Sequence, residues 1–179
     1  MKLNILSIIL GAGVVIPATV CLLNPASTIE VIRRFPRSTV AGYLLTAIGT
    51  VWFLINLNSE NIVDLESYKN FMYLLFPAIG LATCLYLKDF LAVRGLAVTM
   101  LLLAKLMLDT ARWENSSWRL VIVVWAYVLV CLGIWFTVSP WRLRDLIDWA
   151  IKNYKRFIAL TTVKLIFGIL LVILGIIMF

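Results

Sequence analysis

Hydrophobic residues along this chain are grouped into six long blocks, separated by short polar or basic stretches. Each block holds roughly 17 to 22 residues, enough for an α-helix to cross about 30 Å of hydrocarbon. The pattern predicts an all-α fold, a polytopic membrane helical bundle of about six transmembrane helices in three hairpins. We place the spans at about 5–23, 39–57, 71–87, 90–108, 120–138 and 158–179.

Two of the connecting stretches are amphipathic, at about 28–37 and 141–157, and we expect both to lie as helices in the membrane interface. Asn24-Pro25 precedes the first stretch and Ser139-Pro140 the second, and each stretch leads into a span through two basic residues and a phenylalanine. This similarity has two interpretations. The two hairpins are an internal repeat, or basic cytoplasmic loops and helix-breaking prolines produced the same pattern twice independently.

The composition excludes a water-soluble domain. Hydrophobic residues make up 63% of the chain and charged residues 14%, with a mean hydropathy of +1.02. We therefore expect one transmembrane domain over residues 1–179. The first block resembles a cleaved signal peptide, but it has the length of a full span, so we expect it to be retained.

The net charge of +7 comes from 16 basic and nine acidic residues. Most basic residues flank the hydrophobic blocks, so the partner they favour is anionic lipid rather than nucleic acid. With six spans, the loops of one side carry ten basic residues and those of the other side four. Because basic loops stay in the cytoplasm, both termini are predicted on the non-cytoplasmic side.

The inventory for catalysis is small. The chain has no histidine, and its three cysteines lie far apart inside predicted spans. It also lacks closely spaced paired carboxylates and a glycine-rich phosphate loop. We therefore expect no metal, no haem or other cofactor, and no enzyme activity.

Ionisable residues inside the spans are the candidates for function, because a charge in hydrocarbon must be paired, hydrated or extended to the interface. Lys164 is the deepest cation, about 9 Å beyond the start of the sixth span at 1.5 Å per residue. We expect it to face a cavity, with Asp89 as its nearest carboxylate. Arg94 lies one turn inside the fourth span, and we expect its side chain to extend to the cytoplasmic interface near Asp89. In the alternative of a transporter or channel, Lys164, Arg94 and Asp89 would line a cytoplasmic vestibule.

Three further candidates lie at the other end of the fourth span. Lys105, Asp109 and Arg112 are spaced at i, i+4 and i+7, so they share one helical face and can form a ladder of ion pairs. Because Lys105 lies about a turn from the end of the span, we expect its side chain to extend to the interface and form a salt bridge there. No carboxylate lies in the middle of a span, which weakens a proton-relay interpretation.

Glycines at a spacing of seven mark two helix faces that can make close contact with a neighbour. Gly42 and Gly49 lie on the second span, and Gly168 and Gly175 on the sixth. Small residues let helix backbones approach closely in membranes. We expect these faces to pack within the protein or against a partner.

The stretch from Lys88 to Gly95, continuing from Leu108 to Trp113 and from Ser117 to Leu120, resembles a group of uncharacterised bacterial integral membrane proteins. The resemblance covers mainly residues 88–120; it implies a bacterial inner (plasma) membrane and no particular activity. The sequence favours a non-catalytic accessory, assembly or interaction subunit that docks on a membrane protein or a second copy. The alternative is a small-solute or anion transporter or channel that uses intramembrane lysine and arginine.

Overall fold

The secondary structure of the described chain is helical throughout; the computed structural model describes residues 2–59, 68–87 and 89–178. Residues 60–67 of the expected polar loop, together with Lys88, lie outside these ranges. The described residues form eight α-helices: α1 (Leu3–Leu23), α2 (Pro25–Arg34), α3 (Thr39–Ser59), α4 (Lys69–Tyr86), α5 (Leu91–Ala111), α6 (Arg119–Val138), α7 (Trp141–Ile151) and α8 (Tyr154–Ile177). A short 3-10 helix, Phe35–Arg37, joins α2 to α3.

Five of these helices are long and apolar enough to cross a membrane: α1, α3, α5, α6 and α8. The chain therefore has the architecture of a polytopic helical membrane protein. Helix α4 coincides with the expected third span and is 18 residues long. It is not among the five, because it begins with Lys69-Asn70 and contains Pro77, which make it less apolar.

The main core lies where α1, α5, α6 and α8 meet. Helix α1 packs against α8, and α5 packs against α6. Both pairs are antiparallel, since Asn4 lies beside Gly175 and Leu101 lies beside Gly133. Near the termini the two pairs merge into one cluster of buried side chains: Leu3, Leu6, Leu10, Ala104, Met107, Ala111, Ile122, Ala126, Leu129 and Leu171.

Helix α3 runs parallel to α5, which sets the direction of the chain in this half of the bundle. Gly42 lies against Leu91 near the start of both helices, and Gly49 lies against Val98 seven residues further along each helix. Both helices therefore begin at the same end of the bundle.

Helix α4 runs antiparallel to α3 and makes its main contacts with that helix. The hydroxyl of Tyr73 donates to Oδ1 of Asn58 at 3.2 Å near the end of α3, and Gly80 lies against Thr50 further back. Helix α4 thus returns along α3 before α5 begins. Phe90, with φ 55°, makes the left-handed turn into α5.

The amphipathic helices α2 and α7 contact each other at the end of the bundle opposite the chain termini. We call them the elbow helices. Helix α7 ends at Ile151 rather than at 157, and α8 begins at Tyr154 rather than at 158. The reason is a cap: Oδ1 of Asn153 accepts a hydrogen bond of 3.0 Å from the backbone N–H of Lys155, which starts α8.

The chain enters both elbow helices with nearly the same backbone conformation. Asn24 has φ −131° and ψ 67°, and Ser139 has φ −132° and ψ 75°. The helices that follow differ in their neighbours, since α3 packs against α5 whereas α8 packs against α1. The similarity of the two hairpins is therefore local to the elbows.

Candidate functional site

A groove runs along α8, between α1, α6 and the elbow helices, and consists of three adjoining cavities. The central cavity measures about 410 Å³. The cavity nearest the elbows measures about 210 Å³ and shares Thr161 and Lys164 with the central one. The third cavity, of about 440 Å³, shares Trp125 and Phe167 with the central one. We call this feature the α8 groove.

Lys164 is the single charged residue among the described residues that line the α8 groove. It lies ten residues after Tyr154, about 15 Å along the helix at 1.5 Å per residue. Its side chain is exposed and makes no hydrogen bond or ion pair with another described residue. The groove therefore presents one positive charge well inside the span.

The far part of the α8 groove is apolar. Trp125 of α6 meets Phe167 of α8 edge-to-face, with ring centroids 5.3 Å apart and an interplanar angle of 84°. The remaining lining residues there are Leu120, Val121, Val124 and Val128. The groove is thus cationic at Lys164 and purely hydrophobic beyond it, which is the polarity of a site for an amphiphile.

The rim of the groove at the elbows is basic. The segments 28–37 and 141–157 together carry eight basic and three acidic residues. Arg156 stacks on the ring of Trp149 at 4.4 Å and donates to its carbonyl oxygen at 3.1 Å. Three other arginines pair with the elbow carboxylates: Arg34 with Glu30, Arg144 with Asp145, and Arg33 with Asp148. An excess of exposed positive charge remains around the groove.

Arg94 and Asp89 do not belong to this groove. Arg94 lines a separate cavity between α3, α4 and α5, and Asp89 is exposed at the turn before α5. No ion pair joins Asp89 to Arg94 or to Lys164 among the described residues. The structure therefore places the two cations of the expected vestibule in different cavities.

Among the described residues, the candidates at the other end of α5 include the salt bridge expected for Lys105. Nζ of Lys105 lies 2.8 Å from Oδ2 of Asp109, and both side chains are substantially exposed. Arg112 is exposed just after α5 and is not paired with Asp109 in the described part of the chain.

The four glycines singled out by their spacing are all buried at helix contacts inside the bundle. A methyl group added to any of them would come within 3.0 Å of the facing helix: 2.9 Å from Cβ of Leu91 for Gly42, 3.0 Å from Cγ1 of Val98 for Gly49, 2.8 Å from Cγ2 of Val15 for Gly168, and 2.9 Å from the carbonyl oxygen of Asn4 for Gly175. These faces are therefore occupied by the protein's own helices.

Other chemistry is sparse. The described residues contain no group of three histidine, cysteine or carboxylate side chains that could hold a metal ion, and Cys21, Cys84 and Cys131 are free thiols.

Sequence reasoning missed the aromatic part of the groove. A usable signal lay in α8, where Thr161, Lys164 and Phe167 recur every third residue and so share one face. No protein-family model, curated protein or solved structure matches this chain.

Proposed function

We propose that this chain is a non-catalytic accessory protein of a bacterial inner membrane, and that it binds an anionic phospholipid in the α8 groove. The observation that carries the proposal is the position of Lys164, the one charged side chain among the described residues of a mainly apolar groove that opens towards the basic elbow helices. The protein acts by association with lipid and with a membrane partner.

Charge argues for an anionic ligand. An ammonium group inside a membrane is costly unless it is hydrated, paired or extended to the interface. No carboxylate lines the groove among the described residues, so Lys164 has no acidic neighbour there. A lipid phosphate would supply the negative charge and accept charge-assisted hydrogen bonds from Nζ.

The shape of the groove argues for a lipid rather than a free anion. Beyond Lys164 the wall is formed by Trp125, Phe167 and aliphatic side chains, which suits an acyl chain. On the other side, Ile32 and Phe157 belong to the wall beneath the elbows, where the headgroup would meet the basic rim.

We place the elbow helices in the cytoplasm, both termini on the opposite side, and six spans between them. Eight basic residues lie on the elbow segments, which favours a cytoplasmic position. The antiparallel pair α1 and α8 brings the two chain ends to one side. Because α3 and α5 run parallel, the chain must cross back to the elbow end after α3 and before α5. Helix α4 runs in that direction.

Native mass spectrometry of the purified protein tests the lipid site. The wild-type protein should retain an anionic phospholipid through detergent exchange, in preference to a zwitterionic one. Lys164→Gln should reduce retention by about tenfold, since it removes a charge-assisted contact. Lys105→Gln is the matched control, because it removes a span cation outside the groove. Equal retention by the wild type and Lys164→Gln would refute the proposal.

A second variant adds a bulky side chain at a glycine of the groove where a Cβ atom has open space. Gly13 lines the central cavity, and a Cβ atom built on it meets nothing within 4 Å. Gly13→Leu should therefore fill the cavity, displace the lipid and leave the melting temperature of the delipidated protein close to that of the wild type. Full lipid retention by a folded Gly13→Leu protein would show that the lipid binds elsewhere.

The accessory role is tested by purification from native membranes in mild detergent. A stoichiometric membrane-protein partner in the intact complex is the expected result. Transport of a defined solute by the pure protein in liposomes would contradict this role and favour a transporter.

A further inference from the structure

The second charged side chain inside the bundle lies in a small cavity of its own. Arg94 of α5 lines a space of about 170 Å³ together with Thr46 and Thr50 of α3 and with Gly80 and Thr83 of α4. Because α3 and α5 begin at the elbow end, this cavity lies in the same half of the bundle as the elbow helices. It shares no lining residue with the α8 groove.

Two residues that line this cavity each carry a buried polar atom with no hydrogen-bond partner among the described residues: Nε of Arg94 and Oγ1 of Thr46. Both can donate a hydrogen bond. The other two hydroxyls are committed to their own helices, since Thr50 donates to the carbonyl oxygen of Thr46 and Thr83 to that of Ile79, each at 2.8 Å. Buried donors without acceptors are costly and rare, so the pair marks a place for an acceptor.

Tight helix contacts border the cavity on several sides. The rings of Phe53 and Phe76 pack with their centroids 4.2 Å apart on one side of the cavity. A methyl group on Gly80 would lie 2.8 Å from Oγ1 of Thr50, and one on Gly95 would lie 2.8 Å from Cβ of Leu45. The three helices are therefore in close contact on these sides of the cavity, whose volume of about 170 Å³ accommodates a monatomic ion.

We propose that this cavity binds a small monovalent inorganic anion of the chloride class, held by the guanidinium of Arg94 and the hydroxyl of Thr46. Arg94 is the one charged residue among the described lining residues. A single negative charge neutralises it, whereas a divalent anion would leave excess charge in a medium of low dielectric constant. Water could accept the hydrogen bonds but would not neutralise the cation. The proposal does not depend on the lipid in the α8 groove.

Thermal unfolding of the purified protein tests the site. Sodium chloride is compared with sodium gluconate at equal ionic strength, because gluconate is a much larger anion of the same charge. Chloride at about ten times its Kd should raise the melting temperature of the wild-type protein by about 3 to 6 °C, and the rise should grow with the logarithm of the chloride concentration. Arg94→Gln should abolish this rise. Lys105→Gln removes a cation from the same helix outside the cavity and should keep it.

Thr46→Val covers the case in which Arg94→Gln fails to fold. It keeps the shape and the charge of the cavity but removes one donor, so the apparent affinity for chloride should fall by about tenfold. A crystal grown in sodium bromide should show an anomalous peak at hydrogen-bond distance from Nε of Arg94. An equal melting temperature in chloride and gluconate, or an unchanged response in both variants, would overturn the proposal and leave water as the occupant.

Discussion

Ser7 donates its hydroxyl to the carbonyl oxygen of Leu171 at 2.6 Å, and this bond joins the first helix to the last. Both residues are completely buried. One turn further along α1, Gly11 lies against Gly168 and Val172 of α8. The pairing of α1 with α8 thus combines close backbone contact with a hydrogen bond across the helices, two means by which helices associate where lipid removes the hydrophobic driving force.

Ser7→Ala should weaken this helix pair. The substitution removes the donor, and the unfolding free energy should fall by about 0.5 to 1.5 kcal/mol. The loss is modest because the acceptor carbonyl belongs to a helix and can still accept a hydrogen bond within it. Equilibrium unfolding in mixed micelles measures the difference. Thr19→Ala is the matched control: that hydroxyl donates to Val15 within its own helix and is exposed, so the change should be smaller. Equal values for the two variants would contradict a special role for Ser7.

Two glycines of α1 should respond in opposite ways to alanine. A methyl group on Gly11 would lie 2.8 Å from the carbonyl oxygen of Gly168, so Gly11→Ala should force α1 and α8 apart at a cost of about 1 to 3 kcal/mol. A methyl group on Gly13 meets nothing within 4 Å, so Gly13→Ala should leave the stability unchanged or raise it slightly. Melting temperatures in one detergent provide the comparison, and a loss of stability in Gly13→Ala would contradict the described packing.

The sequence could predict the helices because spanning a membrane demands a long apolar block. It also pointed to the elbow helices, since Pro25 and Pro140 interrupt the helical pattern beside basic clusters. The bounds of α7 and α8 differ from expectation because a local cap at Asn153 decides where α8 starts. The hydrophobic pattern alone does not show that a polar cap, rather than the first apolar residue, sets the start of a helix.

The sequence did not reveal which helices pack against each other. The spacing of Gly42 and Gly49 shows that one face of α3 is small, but a small face fits any helix, and only the structure selects α5. The cavity of Arg94 was missed for the same reason. Thr46, Thr50 and Thr83 are ordinary residues within their own helices, and they become a site only because α3, α4 and α5 meet there.

The ion pair at the end of α5 should contribute little to stability. Lys105 and Asp109 are both substantially exposed at a separation of 2.8 Å, so Asp109→Asn should change the unfolding free energy by less than about 0.5 kcal/mol. The same variant should leave lipid retention and the chloride response unchanged, because Asp109 lines neither the α8 groove nor the cavity of Arg94. A marked effect on either readout would return these residues to the list of functional candidates.

Cysteine labelling decides whether α4 crosses the membrane. With the three native cysteines replaced, Tyr68→Cys and Asp89→Cys place single thiols at exposed positions before and after this helix. Since α4 runs antiparallel to α3, a membrane-impermeant maleimide should label Tyr68→Cys in intact spheroplasts and Asp89→Cys only after permeabilisation. Asn115→Cys and Lys152→Cys, on exposed loops at opposite ends of the bundle, give the two reference patterns. Labelling of both test positions from one side would mean that α4 does not span, which would contradict both the six-span topology and the parallel arrangement of α3 and α5.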